Sequence, residues 1–401
     1  MTSYGRSKMK LALGHNAAIK EQNLKVILNV IREAGLISRA EISRQTGLSR
    51  STVSELVGFL LRQGIIEEAG TGDSIGGRRP ILIKIRSKGR VICAIHLDDD
   101  GTLEGRAEDL AGAEINTATD KVREADELVP GILRMIEKLT NGYTNQPAAL
   151  ALALPGIVSP EGTILSAVNL GWSNVSVVQP LTERLGIPIK AENATGLAAY
   201  GEMSARDLAV HNLVYLRIGR VVGAGVIANN RLHHGLRGSA AEIGHMVLDI
   251  HGERCKCGRR GCLETKVSRR AALALLHHYQ GTLPPGLSIE NVFEYLVEGD
   301  RFDNPVAQKV LTEIARSTAT AVVNVLNVLG PDVVVIESVL CDSRTYWTVL
   351  IETAAEEALP FAEGKYQLVA SSLGKEAVIV GAIAYATRLF YDNSQIATIG
   401  L

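Results

Sequence analysis

Three of the five cysteines in this 401-residue chain, Cys255, Cys257 and Cys262, fall within eight residues, and His245 stands ten positions upstream of the first. Thiolate and imidazole are the donors that tetrahedral zinc prefers, so the spacing predicts a structural Cys3His site holding one Zn2+ per chain through His245, Cys255, Cys257 and Cys262. Gly258 and Gly261 permit the positive φ that brings the last thiol back to the first two. A disulfide or a set of inert thiols is the competing use of the same cysteines.

Glu242 and His245 are three residues apart, on one face of a helical turn, and Glu264 follows Cys262 by two. Closing the metal loop would gather two carboxylates and an imidazole. Carboxylates accept hydrogen bonds from sugar hydroxyls, which makes the cluster a candidate polyol-binding site. Surface charge beside a structural metal is the bland alternative.

Glu242-Ile243-Gly244-His245 followed by Cys255-Lys256-Cys257-Gly258-Arg259-Arg260-Gly261-Cys262-Leu263-Glu264 resembles the signature of the ROK family of sugar-responsive repressors and sugar kinases. Asn169-Leu170-Gly171-Trp172, Glu192-Asn193 and Gly201-Glu202 extend the resemblance over most of the chain. It implies a two-lobed, actin-like ATPase fold, with sugar hydroxyls bound by Asn193, Glu242, His245 and Glu264. Members with an added amino-terminal winged helix are transcription regulators.

A hydrophobic content of 46% and a charged content of 21% are those of a globular chain of two or three domains. No apolar run reaches the roughly 18 residues that span a bilayer, and the start lacks a secretory pattern, so a cytoplasmic protein with reduced thiols and no membrane partner is expected. The net charge of −1 conceals an asymmetry. Residues 1–90 carry 16 Lys plus Arg against 7 Asp plus Glu, a balance of +9, leaving 26 against 36, or −10, for the remainder. A polyanion partner is expected for the first quarter only.

The elements that would position these groups can be read in order. Residues 1–20 form an arm. Leu24, Ile27, Leu28 and Ile31 mark a first helix, Ser38-Arg39-Ala40-Glu41 is a capping box opening a second that stops at Gly47, and Leu48-Ser49 opens a third. A helix-turn-helix lays the early residues of its second helix in the major groove, here Ser49, Arg50, Ser51, Thr52 and Ser54. Strands at 65–69 and 81–85 flank a wing ending in Gly77-Arg78-Arg79-Pro80, where Arg78 and Arg79 would enter a narrow, A/T-rich minor groove. The expected domains are a winged helix-turn-helix at 21–90 and a ROK domain at 91–401, with lobe one about 91–200 plus 376–401 and lobe two about 201–375. Strands are expected at 91–97, 103–109, 114–119, 148–154 and 333–336, and helices at 127–139, 267–280, 289–298, 305–329 and from 376.

A kinase of this fold needs amide-rich phosphate loops and a carboxylate base. Where the family has D-x-G-G-T, this chain reads Leu97-Asp98-Asp99-Asp100-Gly101, whose carboxylates repel a triphosphate. Where it has G-T-G-x-G-x-G, the chain reads Gly219-Arg220-Val221-Val222-Gly223-Ala224-Gly225. The glycine-rich adenosine patch is replaced by Glu337-Ser338, and the family's catalytic Asp by Ala194. With no catalytic residue left, the chain is expected to be a repressor of carbohydrate-metabolism genes, not an enzyme. A homodimer, or a tetramer built from it, would sit on a palindromic double-stranded operator and be released by a sugar or sugar derivative between the lobes. Docking of a transport-system protein is the alternative control, and an ATP-dependent sugar kinase the less favoured reading.

Overall fold

The computed structural model describes residues 20, 23, 24, 26–72, 79–86, 90–143, 147–206, 210–359 and 365–392. Residues 1–19, the wing tip with Arg78, and most of the basic hinge at 87–90 lie outside the described residues.

The first unit holds three helices and a small sheet. Residues 26–34 are helical (α1) and bury Ile27, Leu28 and Ile31. Helix α2 (Arg39–Thr46) starts at Ser38, whose Oγ accepts from the Glu41 amide at 3.2 Å, and stops at Gly47 with φ 71°. The expected capping box is only half formed. The Glu41 carboxylate turns outward to accept from Arg44 and Gln45 instead of returning to the cap. Helix α3 (Arg50–Arg62) is capped by Ser49 and buries Val53, Leu56, Val57 and Leu60. Strands β1 (Ile37–Ser38), β2 (Ile66–Thr71) and β3 (Ile81–Ile85) form an antiparallel sheet in the order β1-β3-β2.

Two five-stranded sheets of identical topology follow. The first contains β4 (Val91–Leu97), β5 (Thr102–Asp109), β6 (Glu114–Lys121), β7 (Pro147–Leu154) and, after the hairpin strands β8 (Ile157–Val158), β9 (Thr163–Ala167) and β10 (Trp172–Ser176), β11 (Ile189–Asn193). Its order is β11-β7-β4-β5-β6. The second contains β12 (Leu213–Ile218), β13 (Val222–Ala228), β14 (Arg231–Leu232), β15 (Val333–Glu337) and β16 (Gln367–Ala370), in the order β14-β13-β12-β15-β16. In each sheet three parallel strands carry two antiparallel ones on the side of the first strand. Strand β7 is buried along its whole length, as a parallel strand covered on both faces must be.

Helices α4 (Leu128–Thr140), α5 (Val178–Leu185) and α6 (Ala194–Ala205) belong to lobe one. Helices α7 (Glu264–Val267), α8 (Arg269–Gln280), α9 (Val292–Arg301), α10 (Pro305–Leu329) and α11 (Arg344–Glu357) belong to lobe two. Helix α12 (Ala377–Asp392) returns to lobe one and packs on α6, β4 and β7. The crossing with α6 is backbone to backbone: a Cβ on Gly381 would lie 1.8 Å from the Leu197 carbonyl oxygen, so only glycine allows this approach. The far end of α12 carries Phe390 and Tyr391 into one continuous apolar cluster with Ile27, Leu28 and Ile31 of α1. The first unit is therefore seated on lobe one through a shared core.

Candidate metal centre and adjoining cleft

The strip between Glu242 and Glu264 is a knuckle with its own backbone frame. Leu263 N donates to Met246 O and Leu248 N to Gly261 O, each at 2.8 Å, and Cys255 N donates to Arg259 O at 2.8 Å. Gly258 and Gly261 have φ of 90° and 66°, and a Cβ on Gly261 would lie 1.5 Å from Asp249 O. The ligand atoms of His245, Cys255, Cys257 and Cys262 all lie within 4.8 Å of one another. Cys257 and Cys262 sulfurs are 3.6 Å apart, and Cys255 Sγ is 3.7 Å from His245 Nδ1. Bonds of about 2.0–2.3 Å at tetrahedral angles place donors roughly 3.5–3.8 Å apart, so the four donors fit a tetrahedral ion.

The acidities of the thiols set the condition under which they could act as ligands. Burial pushes Cys262 up to about 12 and Cys255 upward, while Arg259 hydrogen bonds overcome the burial of Cys257 and bring it to about 7. Three such thiols ionise together only around a cation, which supplies the charge that water no longer screens. In that state His245, Cys255, Cys257 and Cys262 would hold the ion, and its role would be to fix the knuckle.

Glu242 and Glu264 flank the donors. Glu264 Oε2 accepts from Val222 N at 3.0 Å and its Oε1 from Cys255 Sγ at 3.7 Å. Glu242 directly precedes the turn containing His245, and its carboxylate oxygen is 3.9 Å from His245 Nε2. Burial raises the Glu242 pKa, opposed by His245 and Arg259. Asn193 ends β11 in lobe one. Its Oδ1 caps α6 by accepting from Thr195 N and Gly196 N, and its Nδ2 donates to Gly156 O at 2.7 Å. A Cβ on Gly223 of β13 would lie 2.7 Å from Thr195 Oγ1. The structure thus brings Glu242, His245 and Glu264 together, and sets Asn193 at the head of α6 with most of its polar capacity already used.

Two carboxylates that the sequence marked only within the resemblance, with no role assigned, meet partners at the lobe boundary. Glu192, 6% exposed, accepts from Tyr385 and lies 3.0 Å from His234 Nε2. Glu202, fully buried, accepts from Ser371, Ser372, Leu373 N and Arg206.

Amides in both loops expected to reject phosphate are bonded to carboxylates of the chain. Asp98 Oδ1 accepts from Asp100 N and Thr102 N, both at 2.8 Å, and Val222 N is held by Glu264. Arg220 pairs across the lobes with Asp100 at 3.3 Å. In the first unit, Ser49, Ser51 and Thr52 hydroxyls interlock at 2.8 Å at the head of α3, while Arg50, Ser51 and Ser54 are exposed. Arg79 is the described residue of the wing pair.

The ROK family model matches residues 108–388, more than half of the chain. The chain belongs to the ROK family. A winged helix-turn-helix DNA-binding model matches residues 21–67, ahead of the ROK domain. A xylose repressor of Bacillus spizizenii is 28% identical over 384 residues, covering 93% of this chain and 97% of its own length. The transcriptional dual regulator NagC of Escherichia coli is 25% identical over 396 residues, covering 95% and 96%. Among solved structures, a ROK family transcriptional regulator described as a homologue of the E. coli MLC protein superposes with a TM-score of 0.82 at 24% identity, over 95% of this chain and 98% of that one. The fold expected from the ROK resemblance, a winged helix-turn-helix followed by a two-lobed α/β domain, is the fold observed.

Proposed function

We propose that this ROK protein is a transcriptional repressor of carbohydrate-metabolism genes whose hold on DNA is released by a sugar or sugar derivative bound between the lobes. One observation carries the reading. A winged helix with an exposed, cationic helix start shares its core with lobe one, and lobe two gathers Glu242, His245 and Glu264 where amides of both phosphate loops are bonded to Asp98 and Glu264. In the reading, Ser49, Arg50, Ser51, Thr52 and Ser54 face the major groove and Arg78 and Arg79 the minor groove, with phosphate contacts supplying most of the affinity. Glu242, His245, Glu264 and Asn193 meet sugar hydroxyls, and the ion at the knuckle is zinc, one per chain. A homodimer on a palindromic, A/T-rich operator places two recognition helices one turn of DNA apart, and the protein works in the cytoplasm. Sugar and operator then compete through differential affinity for two lobe arrangements. The xylose repressor and NagC among its relatives support this class of function without choosing the sugar.

The test uses full-length protein and a duplex selected from a randomised pool. Fluorescence anisotropy is expected to show operator binding that D-xylose, glucose or N-acetylglucosamine weakens by about tenfold or more. Arg50→Ala should weaken it by about fivefold or more in the absence of sugar. No calorimetric binding of any sugar, or turnover of ATP with one, would overturn the reading. A second reading, control by a docked transport-system protein, is favoured by the exposed Arg254, Lys256, Arg259 and Arg260 of the knuckle beside Ile250, 73% exposed. Release of DNA by such a protein with every sugar inert would select it.

A further inference from the structure

The buried Glu192 joins elements from both lobes. It lies on β11 in lobe one, and its Oε1 accepts from Tyr385 Oη on α12 at 3.0 Å. The same oxygen is 3.0 Å from Nε2 of His234, on the loop that leaves β14 in lobe two. A carboxylate this buried depends on its partners, so a change at one is felt by the others.

His234 is tied to the metal-side residues. Ala240 N donates to His234 O at 3.0 Å, closing the loop on itself. Arg237 and Ala241 hold φ of 54° and 63°, and Ala241 directly precedes Glu242. A Cβ on Gly238 would lie 1.9 Å from Val158 O, so the loop also leans on lobe one. Non-glycine residues in the left-handed region persist only where the surroundings impose them, so this loop moves as a unit or not at all. At the other end Tyr385 stands on α12, which runs on to Tyr391. The Arg32 guanidinium of α1 lies 5.4 Å from the Tyr391 ring centroid, within the core that seats the winged helix.

We propose that the His234–Glu192–Tyr385 bridge is the link through which occupancy of the Glu242/His245 cleft sets operator affinity. It rests on the repressor reading given above. With the bridge formed, α12 is fastened to lobe two and holds the winged helix in its operator-binding placement. A ligand that draws on Glu242 and His245 shifts the loop, removes His234 from Glu192, and leaves α12 tied to lobe one alone. His234 and Tyr385 act as positioning residues, and neither touches the DNA.

The experiment compares full-length parent, His234→Ala, His234→Gln, Tyr385→Phe and the double variant on the selected duplex, with and without D-xylose and N-acetylglucosamine. Without sugar, His234→Ala and Tyr385→Phe should each weaken operator binding about tenfold. The double variant should add little to either, because both residues act through one carboxylate. His234→Gln, whose amide can donate to Glu192, should stay within about threefold of the parent, with Trp172 and Trp347 emission unchanged in all variants as the check on folding. Operator binding by both single variants within about twofold of the parent, or fully additive losses, overturns the link. A parent that ignores both sugars while His234→Ala still loses DNA would leave the link standing and remove the sugar reading. A parent released by sugar alongside a His234→Ala protein released to the same extent would do the reverse.

Discussion

Replacing Glu202 should unfasten the two lobes. The segment Ser371–Leu373 carries the chain from β16 in lobe two to α12 in lobe one, and the stretch after Arg206 carries it from α6 to β12 in the other direction. Glu202 clasps the first crossover beside the start of the second, accepting from Ser371 Oγ at 2.5 Å, Ser372 Oγ at 2.9 Å, Leu373 N at 3.0 Å and Arg206 at 2.9 Å. It is fully buried. Burial alone would raise its pKa, yet the hydrogen bonds prevail and hold it below the usual carboxylate value, so it is charged at neutral pH.

A bond to a charged acceptor contributes about 1.5–3 kcal/mol, but four such bonds to one group are not additive and are set against the cost of burying it. Removing one partner of a buried charged network costs about 3–5 kcal/mol, the expectation for Glu202→Ala. Glu202→Gln keeps one acceptor oxygen and turns a donor toward Arg206, which is 21% exposed and can swing to water, so about 1–2 kcal/mol is expected. Urea unfolding followed by tryptophan emission reads both lobes, since Trp172 lies on β10 and Trp347 on α11. Glu202→Ala should lower both transitions. The decisive variant is Glu202→Met, which keeps the volume without the charge. If it is as stable as the parent to within about 0.5 kcal/mol, the donors are satisfied without Glu202 and the clasp argument is wrong.

Three further outcomes are expected. Chelation of the metal, or Cys262→Ser, should make trypsin cut within the knuckle at Arg254, Lys256, Arg259 or Arg260 at least about tenfold faster, with metal content by mass spectrometry falling in parallel. Ala194→Asp should produce no sugar-dependent ATP turnover in a coupled assay, because the amides of Asp100, Thr102 and Val222 remain bound to Asp98 and Glu264. Burial, helped by Arg217 and opposed by Asp98, brings His96 down to about 4, so it is neutral when folded and gains a proton on unfolding below its ordinary value of 6.5. Stability present above pH 6.5 should therefore be lost as pH falls toward 4, by about 3 kcal/mol, and His96→Leu should flatten that part of the acid-unfolding curve.

Local spacing made the metal centre and the winged helix legible. The thiols lie close in the chain with their glycines between them, and Ser38, Gly47 and Ser49 cap their helices with their own side chains or φ. The capping box failed at Glu41 because Arg44 and Gln45, on the same helix face, offered its carboxylate better donors than the cap amide. The lobe boundary was hidden for a different reason. Glu192 meets partners 42 and 193 residues away, and Glu202 meets Ser371 at a separation of 169, so the motifs Glu192-Asn193 and Gly201-Glu202 mark the two residues without announcing their partners. In the sequence Glu202 reads as a polar residue on an Ala-rich helix. Only the return of the chain in α12 turns it inward.

The engaged amides weigh more heavily against phosphate binding at these loops than the charges do. The three carboxylates of Asp98, Asp99 and Asp100 repel an anion, and Arg220 answers one of them, but Arg220 and Asp100 are 57% and 65% exposed. An exposed pair of this kind is worth about 0–1 kcal/mol, too little to close the cleft or to shut a nucleotide out. The turn at Asp98 is stronger. Its carboxylate takes two backbone amides at 2.8 Å, each a charge-assisted bond of about 1.5–3 kcal/mol, and these are the donors through which a phosphate loop binds its ligand. A nucleotide would have to break that turn before gaining any contact from it. On the opposite loop, Val222 N donates to the Glu264 carboxylate at 3.0 Å, so that amide too is engaged within the protein. Replacing Asp99 and Asp100 by glycine would therefore leave Asp98 bonded to its own turn. It is Glu264 and Asp98 together, not the surface ion pair, that occupy these amides.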